Sequence, residues 1–376
     1  MLFNNVASGL SPMRILLIIS VGFFILILTF FGTLAREYGF DTLKPVSGSS
    51  NGNDASSPPA EACDSTALLD DTAHLLARLM KPVIHGMTEK EYKASNGKTY
   101  HLPDGEQIWT EPLGNKVLIL DVDSRYEDGE GTMFNETTLH RNGVQKRAAG
   151  RLSHMVYAMV HGYDYRFVRA PNFADRHGTW TKVPILREAV KKYDTVVFMD
   201  ADAYFVHTEL PLEWMMNFWK TTKDTSLTLA KDPDTKGNRD SKGLVLLNTG
   251  FIIAQKSERT QEILTELENC PNEKRWKGCD KWRQSWAHEQ RAFGEYIRYD
   301  YDLPTDILSL PMSYANSPHG IFIRHDWPKK KDPMEDMQRS LMDMLVARTH
   351  MQFHQSMDEY YRDLGSMEHP LHDVSV

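Results

Sequence analysis

Four Asp-x-Asp pairs punctuate this 376-residue chain: Asp121/Asp123, Asp200/Asp202, Asp232/Asp234 and Asp300/Asp302. Two carboxylates one residue apart can hold a hard divalent cation, and that cation can hold a diphosphate. This is chemistry for an enzyme acting on a nucleotide-activated substrate. The pattern is cheap, so position has to discriminate. Asp232/Asp234 brackets Pro233 in a turn-like Lys-Asp-Pro-Asp-Thr-Lys-Gly stretch, and Asp300/Asp302 precedes Leu303-Pro304. Both read as solvated loop charge. Asp121/Asp123 and Asp200/Asp202 instead follow the apolar runs Val117–Leu120 and Thr195–Met199, the pattern of buried parallel strands. In open α/β sheets, ligands bind beyond the carboxyl ends of such strands.

The elements that position these pairs follow from periodicity. The first strand ends at Asp121. A helix is expected over 145–161, with Leu152, Val156, Met159 and Val160 on its apolar face and Gly162 as its stop. A second strand over 165–169, a helix over 182–192 and the strand 195–199 follow, an alternation that implies parallel pairing with right-handed crossovers. The second half reads as more mixed. It has helices over 212–220, 258–269 and 289–297, strands over 227–230, 307–310 and 321–323, and a long strand over 244–254 interrupted at Asn248-Thr249-Gly250. Glycine inside a strand often marks the close approach of a ligand, here a sugar; a plain β-bulge is the alternative. His288-Glu289-Gln290 opens a helix, so these side chains can point into a cleft, with helix N-terminal charge as the bland competitor. The expectation is one α/β domain of roughly 250 residues.

A net charge of −8 argues against nucleic acid as a partner. Residues 15–34 form an uncharged apolar run of the length that crosses a bilayer, with no small-residue cleavage site after it, which predicts a single-pass membrane anchor. Arg14 on one side and Arg36 and Lys44 on the other leave orientation open. The expected organisation is a tail over 1–14, the transmembrane anchor over 15–34, a Ser/Gly/Pro-rich flexible stem over 35–65, a helical adapter over 66–115, the catalytic domain over 116–330 and a C-terminal helical extension over 331–376. Asn135-Glu136-Thr137 is an N-glycosylation sequon. Cys270 and Cys279 can close a small loop by a disulfide, leaving Cys63 in the stem, or can both be buried thiols.

Taken in order, Asp123-Ser124-Arg125-Tyr126, His161-Gly162-Tyr163-Asp164-Tyr165, Trp180–Pro184, Phe198–Ala203, Leu247–Phe251 and His288-Glu289-Gln290 resemble the motifs of glycosyltransferase family 34, the fungal galactosyl- and mannosyltransferase family of the Golgi mannan-extending type. The resemblance covers about 116–326. It implies a GT-A architecture, a Rossmann-like nucleotide-diphospho-sugar transferase domain behind the membrane helix. It also implies retention of configuration and a type II Golgi membrane protein with a cytoplasmic tail and a lumenal catalytic domain. Asp200 and Asp202 would bind Mn²⁺, with a late histidine, His325, as third ligand. Lys182 would meet a donor phosphate, and Asp121, Asp123, Arg125 and Tyr126 the nucleoside, unless they form only a salt-bridged loop. Asn248, Thr249, Gly250 and His288 would bind the sugar. Glu289 and Gln290 would be catalytic, although the family often has Asp where Glu289 stands. Partners would be a nucleotide sugar (GDP-mannose or UDP-galactose), a glycan acceptor and other subunits of a glycosyltransferase complex. Two other readings compete. Asp121 and Asp123 after a strand resemble a haloacid-dehalogenase-type phosphatase, and a lumenal subunit without catalysis would keep the fold.

Overall fold

The computed structural model describes residues 71–94, 97–272, 275–327 and 333–361. All belong to one compact unit, Cys63–Val376. The apolar run 15–34, the tail and stem around it, Cys63 and the cluster Lys329–Lys331 lie outside the described residues. Among the described residues no helix is long and apolar enough to cross a membrane.

In chain order the elements are α1 (Thr72–Met80), β1 (Glu91–Lys93), β2 (Thr99–His101), β3 (Val117–Asp123), α2 (Lys146–His161), β4 (Asp164–Arg169), α3 (Lys182–Ala189), β5 (Thr195–Met199), β6 (Ala203–Phe205), α4 (Leu212–Phe218), β7 (Leu227–Lys231), β8 (Leu247–Gln255), α5 (Glu258–Asn269), α6 (His288–Glu295), β9 (Ile307–Leu310), α7 (Met312–Ala315), β10 (Ile323–His325), α8 (Pro333–Gln355) and α9 (Met357–Tyr360). Short 3₁₀ turns connect several of them. The central sheet has strand order β4-β3-β5-β8-β7-β9. β3 pairs parallel with β4 and β5, and β7 pairs parallel with β9, while β8 runs antiparallel to both β5 and β7. The carboxyl ends of β3, β5 and β7 and the amino end of β8 therefore share one edge.

The apolar runs are explained by burial on both faces. Along β3, β5 and β8, Val117, Ile119, Val197, Met199, Phe251 and Ile253 enter one core with Tyr157 of α2 and Trp214 of α4. The alternate residues Leu118, Leu120, Val196, Phe198, Ile252 and Ala254 enter a second core with Val183 and Leu186 of α3, Ile263 and Leu267 of α5, and Phe293 of α6. α2 ends where Gly162 takes the left-handed conformation at φ +71°, its N–H bonding back to the helix.

Several expected boundaries shift. The first strand does not end at Asp121 but runs to Asp123, because its pairing with β4 continues to Asp123↔Arg169, so both aspartates lie within β3. α3 ends at Ala189 because the next residues tighten into i→i+3 bonds, Lys191 N–H to Glu188 and Lys192 N–H to Ala189. β8 begins at Leu247, since residues 238–246 fold into their own turn, closed by Leu246 N–H to Asn238, with Leu244 exposed. The last short strand is Ile323–His325, two residues late, because the amides of Ile321 and Phe322 bond instead to Ser313 and Tyr314. The segment 66–115 is not wholly helical: β1 and β2 form an antiparallel hairpin, and Tyr92, Leu102 and Trp109 enter the main core. Those anchors are too sparse to show a period. α1 and α8 close against α2 through Met80, Val160 and Met344, and Met334 and Met337 pack with Ala149.

Candidate active site

β5 is buried throughout and delivers Asp200-Ala201-Asp202 into a tight turn, in which Ala203 N–H returns to Asp200 C=O at 2.8 Å. Asp200 N–H bonds Gly250 C=O of β8 at 2.8 Å, tying the turn to the sheet. The turn approaches α2 so closely that a Cβ on Gly150 would lie 1.9 Å from Ala201 O. A mid-helix glycine normally costs about 1 kcal/mol against alanine; here no other residue fits without moving the turn.

β6, immediately after the turn, pairs antiparallel with β10 in the register Ala203↔His325. That register sets His325 beside Asp202, with Nε2 at 3.3 Å from Asp202 Oδ1. One ligand atom each from Asp200, Asp202 and His325 lies within 4.8 Å of the other two, so the three can hold a divalent cation. The imidazole is oriented from behind: Nδ1 lies 3.0 Å from Asn316 Oδ1, and Asn316 Nδ2 donates to Asp232 Oδ1 at 2.9 Å. With Nδ1 as donor, Nε2 keeps its lone pair toward the carboxylates, the usual arrangement behind a ligating histidine. Both aspartate side chains remain about one-third exposed (35% and 34%). Partial removal from water raises the Asp200 pKa, opposed by Lys182 and assisted by the charge of Asp202. The residues present fit a metal: two hard oxygens and a preset imidazole nitrogen.

Lys182 opens α3 and is buried, its Nζ 2.8 Å from Asp200 Oδ1, 3.4 Å from Glu289 Oε1 and 3.3 Å from Thr249 C=O. Burial opposes its charge, but the two carboxylates outweigh burial and its pKa is raised. Glu289 is buried and accepts from Thr249 Oγ1 at 3.0 Å and from Thr179 Oγ1. β8 is continuous through Asn248-Thr249-Gly250, but its register against β7 jumps between Leu229↔Ile252 and Ala230↔Asn248. The bulge turns Thr249 toward Lys182 and Glu289. Gly250 makes room for a protein group rather than a sugar: an added Cβ would meet His325 Cε1 at 2.2 Å.

Asp232, assigned from sequence to solvated loop charge, is buried at the end of β7. It accepts from Asn248 Nδ2 at 2.9 Å, Asn316 Nδ2 at 2.9 Å and Gln290 Nε2 at 2.6 Å. Gln290 Oε1 in turn accepts from Thr249 N–H at 3.1 Å. Burial raises the Asp232 pKa against the pull of these amides. Its place after an apolar strand was the available signal, masked by Pro233. Asp234 and Asp302 are surface groups, as read. His154, Gly150, Thr179 and Asn316 carried no recognisable pattern.

The first strand divides its two aspartates. Asp121 is 2% exposed, and its oxygens are taken by His154 Nδ1 at 3.1 Å and Tyr165 OH at 2.8 Å. Its carboxylate is held by these two protein partners, and Asp121 also borders the cavity of about 590 Å³ described below. His154 Nε2 lies 2.6 Å from Ala203 C=O, so both ring nitrogens face oxygens and only the imidazolium donates at both. Burial alone would lower the His154 pKa; the charge and hydrogen bond of Asp121 outweigh it and the pKa is raised. The stabilisation this confers is complete below the ordinary histidine pKa of ~6.5 and is lost as pH rises through the folded-state value. Thermal unfolding from about pH 6 to 9 is expected to show a falling Tm whose slope flattens in His154→Gln. An unchanged slope would assign that pH dependence elsewhere.

Asp123 accepts from Arg125 Nε at 2.8 Å, from Arg125 Nη2 at 2.7 Å and from Arg151. The salt-bridged loop is real, and it also lines space. Asp123 and Arg125 border a cavity of about 590 Å³ with Arg147, Arg151, Asp200 and Asp202, and a second of about 360 Å³ with Lys182 and Asp200. Tyr126 is not brought into either lining: its ring stacks on Phe134 at 4.7 Å with the Arg169 guanidinium 5.1 Å from its centroid. A third cavity of about 270 Å³ collects Asp200, Asp202, Asp232, Asn248, Thr249, His288, Glu289, Gln290 and His325. His288 adopts φ +54°, rare for a residue with a side chain, and stacks on His177 at 3.8 Å. Burial, then His177, lowers its pKa.

Cys270 and Cys279 are disulfide-bonded and buried. Asn135 donates through Nδ2 to Asp128 C=O at 3.0 Å. His350 and His354 stack edge-on, exposed and 3.0 Å apart at Nε2.

Residues 153–321 match the model of the galactosyl transferase GMA12/MNN10 family. The match spans Lys182, Asp200, Asp202, Asp232, the bulge and Glu289-Gln290, and stops short of His325. No curated protein sequence matches. Among solved structures, a glycosyltransferase involved in the glycosylation of the major capsid of PBCV-1 is similar at 14% identity and a TM-score of 0.40, over 59% of this chain and 98% of that one. The segment 153–321 belongs to the galactosyl transferase GMA12/MNN10 family, and the chain is a glycosyltransferase.

Proposed function

We propose that this transferase moves a hexose, mannose or galactose, from GDP-mannose or UDP-galactose to a glycan hydroxyl with retention of configuration, using Mn²⁺ in a GT-A domain. One observation carries the reading: Asp200, Asp202 and His325 converge within 4.8 Å, and the two aspartates are shared by the arginine-bearing cavity and the cavity holding Glu289. Asp200, Asp202 and His325 would hold the cation, which supplies Lewis-acid neutralisation of charge on the departing nucleoside diphosphate. The chain's own groups do the rest. Arg125, Arg147 and Arg151 offer positive charge for the phosphates and nucleoside beside Asp123. Glu289, held by two threonine hydroxyls and Lys182, presents fixed negative charge to an oxocarbenium-like sugar. Asp232 positions Asn248 and Gln290 at the sugar's side of the cleft.

The reading extends to a type II Golgi membrane protein anchored by residues 15–34, its catalytic domain lumenal and working within a glycosyltransferase complex. The Cys270–Cys279 disulfide supports an oxidising compartment. A donor panel tests the chemistry. The full-length chain is incubated with GDP-mannose or UDP-galactose, with Mn²⁺ or with EDTA, and hydrolysis and thermal shift are read. One donor is expected to stabilise the protein and to be slowly hydrolysed only with Mn²⁺. The absence of both hydrolysis and transfer with every common donor would sink the catalytic reading.

A further inference from the structure

Two tryptophans stand in water beside this polar cleft, although an indole is among the side chains that gain most from burial. Trp286 is 77% exposed and Trp327 is 42% exposed, whereas Trp180 and Trp214 are fully buried. Both exposed indoles line the cavity that contains Asp202, Glu289, Gln290 and His325. Neither is mounted on an unanchored loop. Trp286 lies two residues before His288, whose ring it meets nearly edge-on at 5.9 Å, and His288 is braced by its stack on His177. Trp327 follows Asp326, whose N–H bonds Asp202 C=O at 2.9 Å, and lies two residues beyond His325.

The other two cavities at the metal site differ in kind. Their described lining includes Asp123, Arg125, Arg151 and Lys182, and no Phe, Tyr or Trp. Charge is suited to phosphates; a flat apolar ring is not. A pyranose has the complementary chemistry to an indole: its axial C–H groups form an apolar, weakly positive face that lies on the negative face of an aromatic ring, while its hydroxyls reach polar groups at the edge. Asn238 supplies such a polar group in the same cavity.

We propose that Trp286 and Trp327 form the acceptor subsite, stacking pyranose rings of the acceptor glycan on the side of the metal site away from the nucleotide. This rests on the transferase reading given above. The test uses the full-length chain with manno- and galacto-oligosaccharides as acceptor probes, comparing wild type with Trp286→Ala, Trp327→Ala and the corresponding Phe variants. Each alanine is expected to raise the acceptor KM about tenfold or more, against a far smaller change in donor KM, and Phe is expected to restore most of the loss. Saccharide binding, followed by intrinsic fluorescence, should weaken in the same order. An unchanged acceptor KM in both alanine variants overturns the proposal, as does an equal rise in donor KM. A wild-type chain that hydrolyses donor but binds no saccharide overturns the subsite alone. A wild-type chain that does neither overturns the transferase reading beneath it.

Discussion

Asp200→Ala and Asp202→Ala are each expected to abolish Mn²⁺-dependent donor binding and to lower transfer by about 100-fold or more, the scale of losing several kcal/mol of charge stabilisation in a metal site. With one carboxylate gone, His325 and a single aspartate remain, too few anionic oxygens to hold a hard ion against water. The two variants differ in their side effects. Asp200 also carries the Lys182 ammonium at 2.8 Å, so its loss leaves that buried cation with Glu289 alone, at 3.4 Å. Asp200→Ala is therefore expected to be the less stable of the two, because breaking one partner of a buried pair leaves charge uncompensated. Calorimetric titration with Mn²⁺ and nucleotide, alongside thermal unfolding, measures both effects. Donor binding that still requires Mn²⁺ in either variant would move the metal elsewhere.

Gly250→Ala is expected to weaken Mn²⁺ binding about 10- to 100-fold although it alters no metal ligand, the range associated with disturbing the groups that orient ligands. The new methyl would lie 2.2 Å from His325 Cε1 and 2.8 Å from Nε2, so the ring must leave its place. Moving it breaks the 3.0 Å contact with Asn316, and Asn316 is itself fixed by Asp232. Overpacking of this kind costs about 1–3 kcal/mol, which lowers Tm by several degrees without unfolding the chain. A metal titration compared with a far-UV spectrum separates loss of the site from loss of the fold. Wild-type Mn²⁺ affinity in a folded Gly250→Ala protein would remove His325 from the ligand set.

The strands that matter most were legible because both of their faces are buried. Thr195–Met199 and Ile307–Leu310 stand where the residues place them, as does the helix 258–269. Boundaries moved where local hydrogen bonds, invisible to periodicity, redirected the backbone, as at Ile321 and Phe322. The motif residues were legible by type, but their tasks were not all so. Asp121 borders the cavity beside the metal site, but its tie to His154, 33 residues later in the chain, could not be read from the sequence. Asp232 looks like turn charge and is a buried acceptor for three amides from separate parts of the chain. Asn248-Thr249-Gly250 is both things that a broken strand suggested, a bulge and a close approach, but the close neighbour is a histidine ring.

By itself, the sequence determined that carboxylates stand at the ends of buried strands, that all six sheet strands have a run of suitable residues, and that the chain carries the ordered motifs of a sugar transferase. Local composition is enough for these, since each depends on residues within a few positions of one another. Only the tertiary structure decided which groups meet. The β6–β10 register sets His325 against Ala203 and so beside Asp202, a pairing of residues more than 100 apart. The reversed strand β8 brings Asn248 to the edge where β5 and β7 end. Gly150 lets α2 close over Ala201. Contacts like these are set by strand register and helix packing over the whole domain, and no local pattern encodes them.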